Sequence, residues 1–352
     1  MKILSLFDGI STARVALERA GIKIDKYYAS EIDKYAIQIA QKNYPDTIQL
    51  GDIKNIQTGF FKEGWVNPNT FDLIIGGSPC QDLSIAKKNR EGLKGCRSGL
   101  FYEMLRLIKE VKPKYFILEN VNSMPKEAKA EITKELWGIE PVMINAALVS
   151  AQNRKRLFWV GKLVGYKYEQ VAITQPEDRG ILPKDILENG AVALKDYGGE
   201  KIKSNTVRTS GRGSGINDKH NWDTIRIGQI GKGGQADRIY SPEGKSVNLS
   251  ANGGGRGAKT GLYAIPVALR NRGEGKKPEY NGTEKANAMT TVQTDSMVSE
   301  NTIIRKLTPI ECERLQSLED DFTEGVSNSQ RYKMLGNGMN AKVIEHILTF
   351  IK

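Results

Sequence analysis

The chain has 352 residues, 39% hydrophobic and 26% charged, enough for the core of one large domain with a smaller one attached. Its formal charge of +11 is compatible with a polyanionic partner, and no apolar run approaches the ~18–20 residues that a membrane helix needs. Three cysteines with no Cys-x-x-Cys pair argue against a disulfide framework and a thiolate zinc site, and for a reducing compartment such as the cytoplasm.

Residues 1–161 alternate strand-like and helix-like segments. "KILSLF" predicts a first strand; Asp8 interrupts it, and no small-residue cleavage site follows, so it is not a signal peptide. "DGISTARVALERAG" reads as a turn and a helix ending at Gly21, "KYYASEID" as a second strand, and "KYAIQIAQKNYP" as a helix stopped by Pro45. "FDLIIGG" is a buried strand, "LFYEMLRLIKEV" a helix ending before Pro113, and "YFILENV" the next strand. This rhythm predicts an α/β fold with a mostly parallel sheet, whose ligands bind beyond the carboxyl ends of the strands. Asp8-Gly9, Glu31, Cys80 and Glu119 all fall at such ends.

From 162 to 304 helical periodicity fades. Half of the 36 glycines fall between Gly198 and Gly282, where 15 Lys and Arg face 7 Asp and Glu, a surplus of +8. A weak 40-residue repeat starts at Asn205, Lys245 and Lys285 and predicts short β-hairpins with glycine-rich tips. Such a region reads either as solvated loops or as a polyanion-binding module. Residues 305–352 regain structure, with a Thr-Pro helix start in "KLTPIECERLQSL" and an amphipathic closing helix in "NAKVIEHILTFIK".

The turn "FDGIS" lets a backbone at Gly9 approach a cofactor, and Glu31, about 20 residues on, is placed for ribose hydroxyls. Asp52 in "GDI" can meet an adenine amino group. The turn is not Gly-x-Gly-x-x-Gly, so a nucleoside cofactor without phosphates, such as S-adenosylmethionine, fits better than a dinucleotide. Taken singly, each acid is more often an ordinary surface residue.

In "GGSPCQDLS" a scarce cysteine, Cys80, follows a strand end. A thiol hydrolase would need a histidine base, but only His220 and His346 exist and neither has a recognisable pairing context. A phosphatase loop would want arginine where Ala86 stands. An unperturbed thiol has a pKa near ~8.5, so it needs local cations or an electrophilic target. Glu119, with Asn120 after it, offers the second route: a proton held against a pyrimidine N3 would open C6 to Cys80. Arg154 and Arg156 of "QNRKR" alternate with Lys155 and point to one face in extended chain, suiting a base carbonyl, a phosphate or Glu119.

These pieces, in this order, resemble the DNA (cytosine-5) methyltransferase family along nearly the whole chain. "FDGIS" is similar to its cofactor motif, "GGSPCQDLS" to its nucleophile motif, "ENV" to its glutamate motif and "QNRKR" to its QxRxR motif. "RKLTPIECERLQSL" and "MLGNGMNAKVIEHI" are similar to its last two. The resemblance implies a Rossmann-like S-adenosylmethionine-dependent sheet over 1–161, a smaller glycine-rich β target-recognition domain over 162–304, and a return segment over 305–352.

It implies Cys80 as nucleophile, Glu119 as the acid at N3, and Arg154 and Arg156 as anchors for the cytosine or its phosphate. Gln81, Ser84, Asn120 and Gln152 would bind substrate. Phe7, Asp8, Gly9, Ile10, Ser11, Glu31, Ile32, Asp52, Ile53, Pro79, Leu100, Asn337, Gly338 and Met339 would line the S-adenosyl-L-methionine site. S-adenosyl-L-homocysteine would be the product, with no metal. Two positions depart from the common pattern: Ser11 replaces a second glycine, and "GNGM" stands where many members have GNSV or GNAV.

The implied partner is double-stranded DNA, met by a monomer away from membranes in a bacterial or phage-infected cytoplasm, with a cognate restriction endonuclease as a candidate companion. Three other readings stay open: an RNA (tRNA) cytosine-5 methyltransferase on the same fold, a non-catalytic DNA-binding relic, and a thiol hydrolase.

Overall fold

The computed structural model describes residues 1–58, 71–78, 99–188, 202–204, 224, 226–230, 237–249, 251, 260–266, 268–271, 276–279 and 302–351. Pro79, Cys80, Gln81 and Ser84 lie outside the described residues, as do most of the first and third copies of the repeat.

The first part runs β1 (Lys2–Leu6), α1 (Thr12–Arg19), β2 (Lys26–Ser30), α2 (Lys34–Asn43), β3 (Ile48–Gln49), β4 (Leu73–Gly77), α3 (Leu100–Val111) and β5 (Tyr115–Val121). It continues with α4 (Lys126–Glu135), β6 (Val142–Asn145), β7 (Lys155–Val164) and β8 (Lys167–Gln170). These strands form one sheet in the order β3-β2-β1-β4-β5-β7-β6, with β8 also on β7. The strands from β3 to β5 pair in parallel, whereas β7 runs antiparallel to β5, β6 and β8. β7 crosses position 161 and β8 extends the sheet beyond it.

The sheet is buried on both faces because its strands are apolar at successive positions. Leu4, Leu6, Ile74, Phe116 and Leu118 face α3 and α4. Ile3, Leu73, Ile75 and Ile117 face α1 and the last helix. On α3, Phe101, Met104, Leu105, Leu107, Ile108 and Val111 follow helical spacing and are buried. Each such Leu, Ile or Phe contributes about 1.5–3 kcal/mol by leaving water.

Beyond the sheet lie β9 (Ile202–Ser204), β10 (Arg226–Ile230), β11 (Arg238–Tyr240), β12 (Leu262–Pro266), β13 (Ala268–Asn271), β14 (Lys276–Glu279) and β15 (Thr302–Arg305). A second sheet has the order β15-β12-β11-β10-β9, and β13 pairs with β14. In the second copy of the repeat the strand β12 pairs in parallel with β11, upstream of the copy, and residues 250 and 252–259, on which the expected hairpin falls, lie outside the described residues. Its first residues, Lys245 to Leu249, form no strand. Ser246 makes an isolated parallel bridge to Gln152, just ahead of β7.

The chain then returns through α5 (Pro309–Leu315), α6 (Asn328–Asn337) and α7 (Ala341–Leu348). Thr308 and Glu311 form a capping box around Pro309, the physical content of the predicted Thr-Pro start. Glu311 does more than cap. It is fully buried, takes both Arg305 Nη atoms at 2.7 and 2.8 Å, and accepts from the Glu188 amide at 3.1 Å. Thr308 Oγ1 donates to the Glu188 carboxylate. One carboxylate therefore ties the chain at Glu188 to the chain at Arg305.

Removing one partner of a buried ion pair strands the other charge, so Glu311→Ala is expected to lower unfolding free energy by about 3–5 kcal/mol in urea titration.

Candidate functional site

The carboxyl ends of β1 and β2 make one half of a cleft. The β1–α1 turn alternates through the left-handed region, with φ of 55° at Phe7, 59° at Gly9 and 60° at Ser11. Two of the three are not glycine, so the conformation is held from outside. Glu31 Oε2 accepts the Gly9 amide at 2.9 Å, and Oε1 accepts the Ile32 and Asp33 amides at 2.8 Å each. Three of about four acceptor positions on that carboxylate are filled by backbone, and the loops after β1 and β2 are locked together.

Asp8 is buried beneath them and accepts from Ser11 Oγ at 2.6 Å and Tyr27 Oη at 2.7 Å. Ser11, at the position where the resembled family has glycine, thus anchors its own strained backbone. Burial pushes the Asp8 pKa up, against hydrogen bonds that lower it. Asp52 caps the short helix Ile53–Asn55 through the Lys54 amide at 3.0 Å.

The second half is built at β4, β5 and β7. A Cβ on Gly77 would stand 2.6 Å from Glu119 Oε2, so only glycine leaves room for that carboxylate beside β4. Glu119 Oε1 accepts Arg156 Nε at 2.8 Å, with both side chains largely buried. Asn120 Nδ2 donates to Ser78 Oγ at 3.2 Å, pinning the last described residue before Cys80. Arg154 donates to Asn248 at 2.8 Å and to the carbonyls of Gly336 and Gly338 at 3.3 and 2.8 Å.

These walls line one open cleft of about 290 Å³. It brings together Phe7, Asp8, Gly9, Glu31, Ile32, Asp52, Ile53, Leu100, Glu119, Asn120, Arg154, Arg156, Asn337, Gly338 and Met339. Ile10, Ser11 and Gln152 are buried behind the lining instead. Sequence reasoning missed Thr12 and Ala36 as lining residues, had Ser30 and Asp33 only within the second strand reading, and used Gly77, Ser78, Val121, Met334 and Gly336 only as parts of motifs. Ser30 and Asp33 lie within two positions of Glu31 and were findable by adjacency; Ala36 carries no local signal.

Charge is sorted along the sheet. Asp8, Glu31, Asp33 and Asp52 lie at the β3–β1 end, where they suit hydroxyls, amines or a cation and repel phosphate. The two arginines and Glu119 lie at the β5–β7 end, which suits a polar planar group or an anion. The β4 end, leading to Cys80, separates the two. Among the described residues no His, Cys, Asp and Glu cluster is placed to hold a metal, and no helix is long and apolar enough to cross a membrane.

The family model of C-5 cytosine-specific DNA methylases matches residues 1–352. Type II methyltransferase M.HhaI of Haemophilus parahaemolyticus is 27% identical over 99% of this chain and 93% of its own. Orphan methyltransferase M.SPRI of Bacillus phage SPR is 26% identical over 99% and 96%. Among solved structures, Entamoeba histolytica methyltransferase EhMeth superposes with a TM-score of 0.64 at 16% identity, covering 100% of this chain and 97% of that one. The Dnmt2 methyltransferase of S. pombe superposes at 0.59 and 18%, covering 100% and 98%. The structural likenesses speak for the fold.

Two outcomes follow from the geometry. Gly77→Ala should leave the melting temperature within a few degrees of wild type, because the clash is with the end of a flexible side chain. Turnover should fall about 100-fold through a displaced Glu119, measured by steady-state kinetics. Asp8 has a raised native pKa, so it disfavours the fold as pH rises from the usual carboxylate range near ~4 through that native value. The melting temperature of Asp8→Asn relative to wild type should therefore climb between pH 4 and pH 8.

Proposed function

The chain belongs to the C-5 cytosine-specific DNA methylase family, and from that premise we propose the following reaction. It transfers a methyl group from S-adenosyl-L-methionine to C5 of a cytosine flipped out of a specific double-stranded DNA sequence, through a transient bond between Cys80 and C6. The observation that carries this reading is the Glu119–Arg156 pair, set in the same cleft as the acid cluster around Glu31 and flanking the strand that leads to Cys80.

The residues present fit the donor. Glu31 keeps an acceptor position for ribose hydroxyls, Asp52 can take an adenine amine, and Ile32, 73% exposed, offers an apolar surface beside them. The carboxylates of Glu31 and Asp52 suit a ligand that carries positive charge and no phosphate, Asp33 being paired with Lys333 at 2.5 Å. When bound, S-adenosylmethionine supplies a methyl group on a positively charged sulfur. Phe7, Gly9, Leu100, Asn337, Gly338 and Met339 would wall it in. Ile10 and Ser11 would support that wall from behind, with Pro79 completing it.

At the other end, Arg156 orients the Glu119 carboxyl. A proton shared between Glu119 and N3 draws electrons from the ring while the Cys80 thiolate adds to C6. C5 becomes an enamine carbon able to accept the methyl group. With the methyl group on C5 and S-adenosyl-L-homocysteine left behind, loss of the C5 proton to a water acting as base, expulsion of the thiolate and return of the N3 proton to Glu119 restore Cys80 and release 5-methylcytosine. Asn120 holds Ser78 and so the start of the segment bearing Cys80, Gln81 and Ser84. Flipping the base costs a few kcal/mol, which the basic glycine-rich region offsets by gripping phosphates and reading base edges. The same reading makes the protein a cytoplasmic monomer of a bacterium or phage host, with a cognate endonuclease as candidate partner.

Expression in a methylation-free host followed by bisulfite sequencing should reveal 5-methylcytosine in one sequence context, with duplex DNA methylated in preference to tRNA. Cys80→Ala should abolish methyl transfer yet retain DNA and S-adenosylhomocysteine binding. Full turnover by that variant would refute the thiol's role.

A further inference from the structure

Arg154 is where three distant segments meet. One is its own, ahead of β7; the second is Asn248, 94 positions on; the third is the Gly336–Gly338 backbone at the end of α6. The approach of Asn248 is not casual. Lys245, 1% exposed, places its Nζ on the carbonyls of Ala147 (2.7 Å), Ser150 (3.2 Å) and Ile181 (2.6 Å). An ammonium has three donors, and all three are used. The Ser246 amide then donates to Ala151 O at 2.8 Å, and the Asn153 amide donates to Ser246 O at 2.9 Å.

Residues 245–248 are therefore stitched in register along 151–153, and the next side chain in line, Asn248, meets the Arg154 guanidinium. Leu249 beyond it is 3% exposed and packs with Tyr240 and Tyr263 of the second sheet. The strap is thus fastened at one end to the large domain and at the other to the small one.

We propose that Asn248 is a positioning residue for methyl transfer: from within the DNA-recognition region it holds Arg154 against the Gly336–Gly338 backbone and so shapes the methyl-donor wall of the cleft. This rests on the reading of that cleft as the donor site. Arg154 and Gly338 both line it, whereas Asn248 does not, so Asn248 acts through Arg154. Donor binding then depends on a side chain in the recognition region even when no DNA is present. A residue that only contacted DNA would leave donor binding untouched.

The test is calorimetric titration of S-adenosylhomocysteine into the full-length protein without DNA, for wild type, Asn248→Ala and Asn248→Asp. Alanine removes the Asn248 acceptor, one of the partners of Arg154, and should weaken binding about tenfold, with a matching rise in KM for the donor. Aspartate restores an acceptor of the same shape and should bind within about twofold of wild type. Alanine binding as tightly as wild type overturns the proposal. So does equal weakness of both variants, which would mean a general loss of structure. A wild type that fails to bind at all sinks the donor-site reading itself, and is seen before any variant is compared.

Discussion

The pairing of Arg156 with Glu119 exists only because β7 runs against β5. Had β7 been parallel, its first residues would lie at the opposite edge of the sheet, about 20 Å from the carboxyl ends of the other strands. In the antiparallel register Val121 faces Arg156 and Glu119 faces Phe158. Residues 119 and 121 share a face, so the arginine reaches diagonally to the carboxylate. The reversal delivers the cations of "QNRKR" to the edge where parallel strands already deliver acids and amides, and the cleft is the meeting of those two sets.

The same edge carries the backbone's awkward conformations. Phe7 and Ser11 sit in the left-handed region, each at a cost of about 1–3 kcal/mol. Hydrogen bonds to Glu31 and Asp8 offset it, and those acids are themselves in the cleft. The turn is rigid before any ligand arrives, which reduces the ordering entropy that binding must overcome.

Much of this was legible in residue order. The helix over Leu100–Val111 and the strand over Tyr115–Val121 match their sequence readings end to end, because helical apolar spacing, a continuous apolar run and Pro113 between the two mark them without tertiary help. The Thr308 start worked for the same reason. Less visible were α4, whose "KEAKAEITKE" buries only Ala128, Ile132 and Thr133, and α6, whose polar "NSQRYKMLGN" carries a weak apolar stripe. β6 and β8 were missed because short strands beside a reversed partner have no periodicity of their own. In the site, residues next to a motif could be inferred, but the link from Lys245 and Asn248 to residues about a hundred positions earlier could not. A three-carbonyl ammonium cage leaves no mark in a sequence.

The packing of α7 on α1 sets a timetable for biosynthesis. Ala13, Ala16 and Leu17 of α1 bury themselves against Val343, Ile344, Ile347 and Leu348. Some 325 residues separate these partners, and at about 5–20 residues per second a ribosome needs roughly 16–65 s to make the second after the first. Throughout that interval the nascent chain carries an apolar helix face with no native cover, and a cleft that lacks the α6 wall. The cleft is therefore completed only once α6 and α7 have been made, however early its other walls fold.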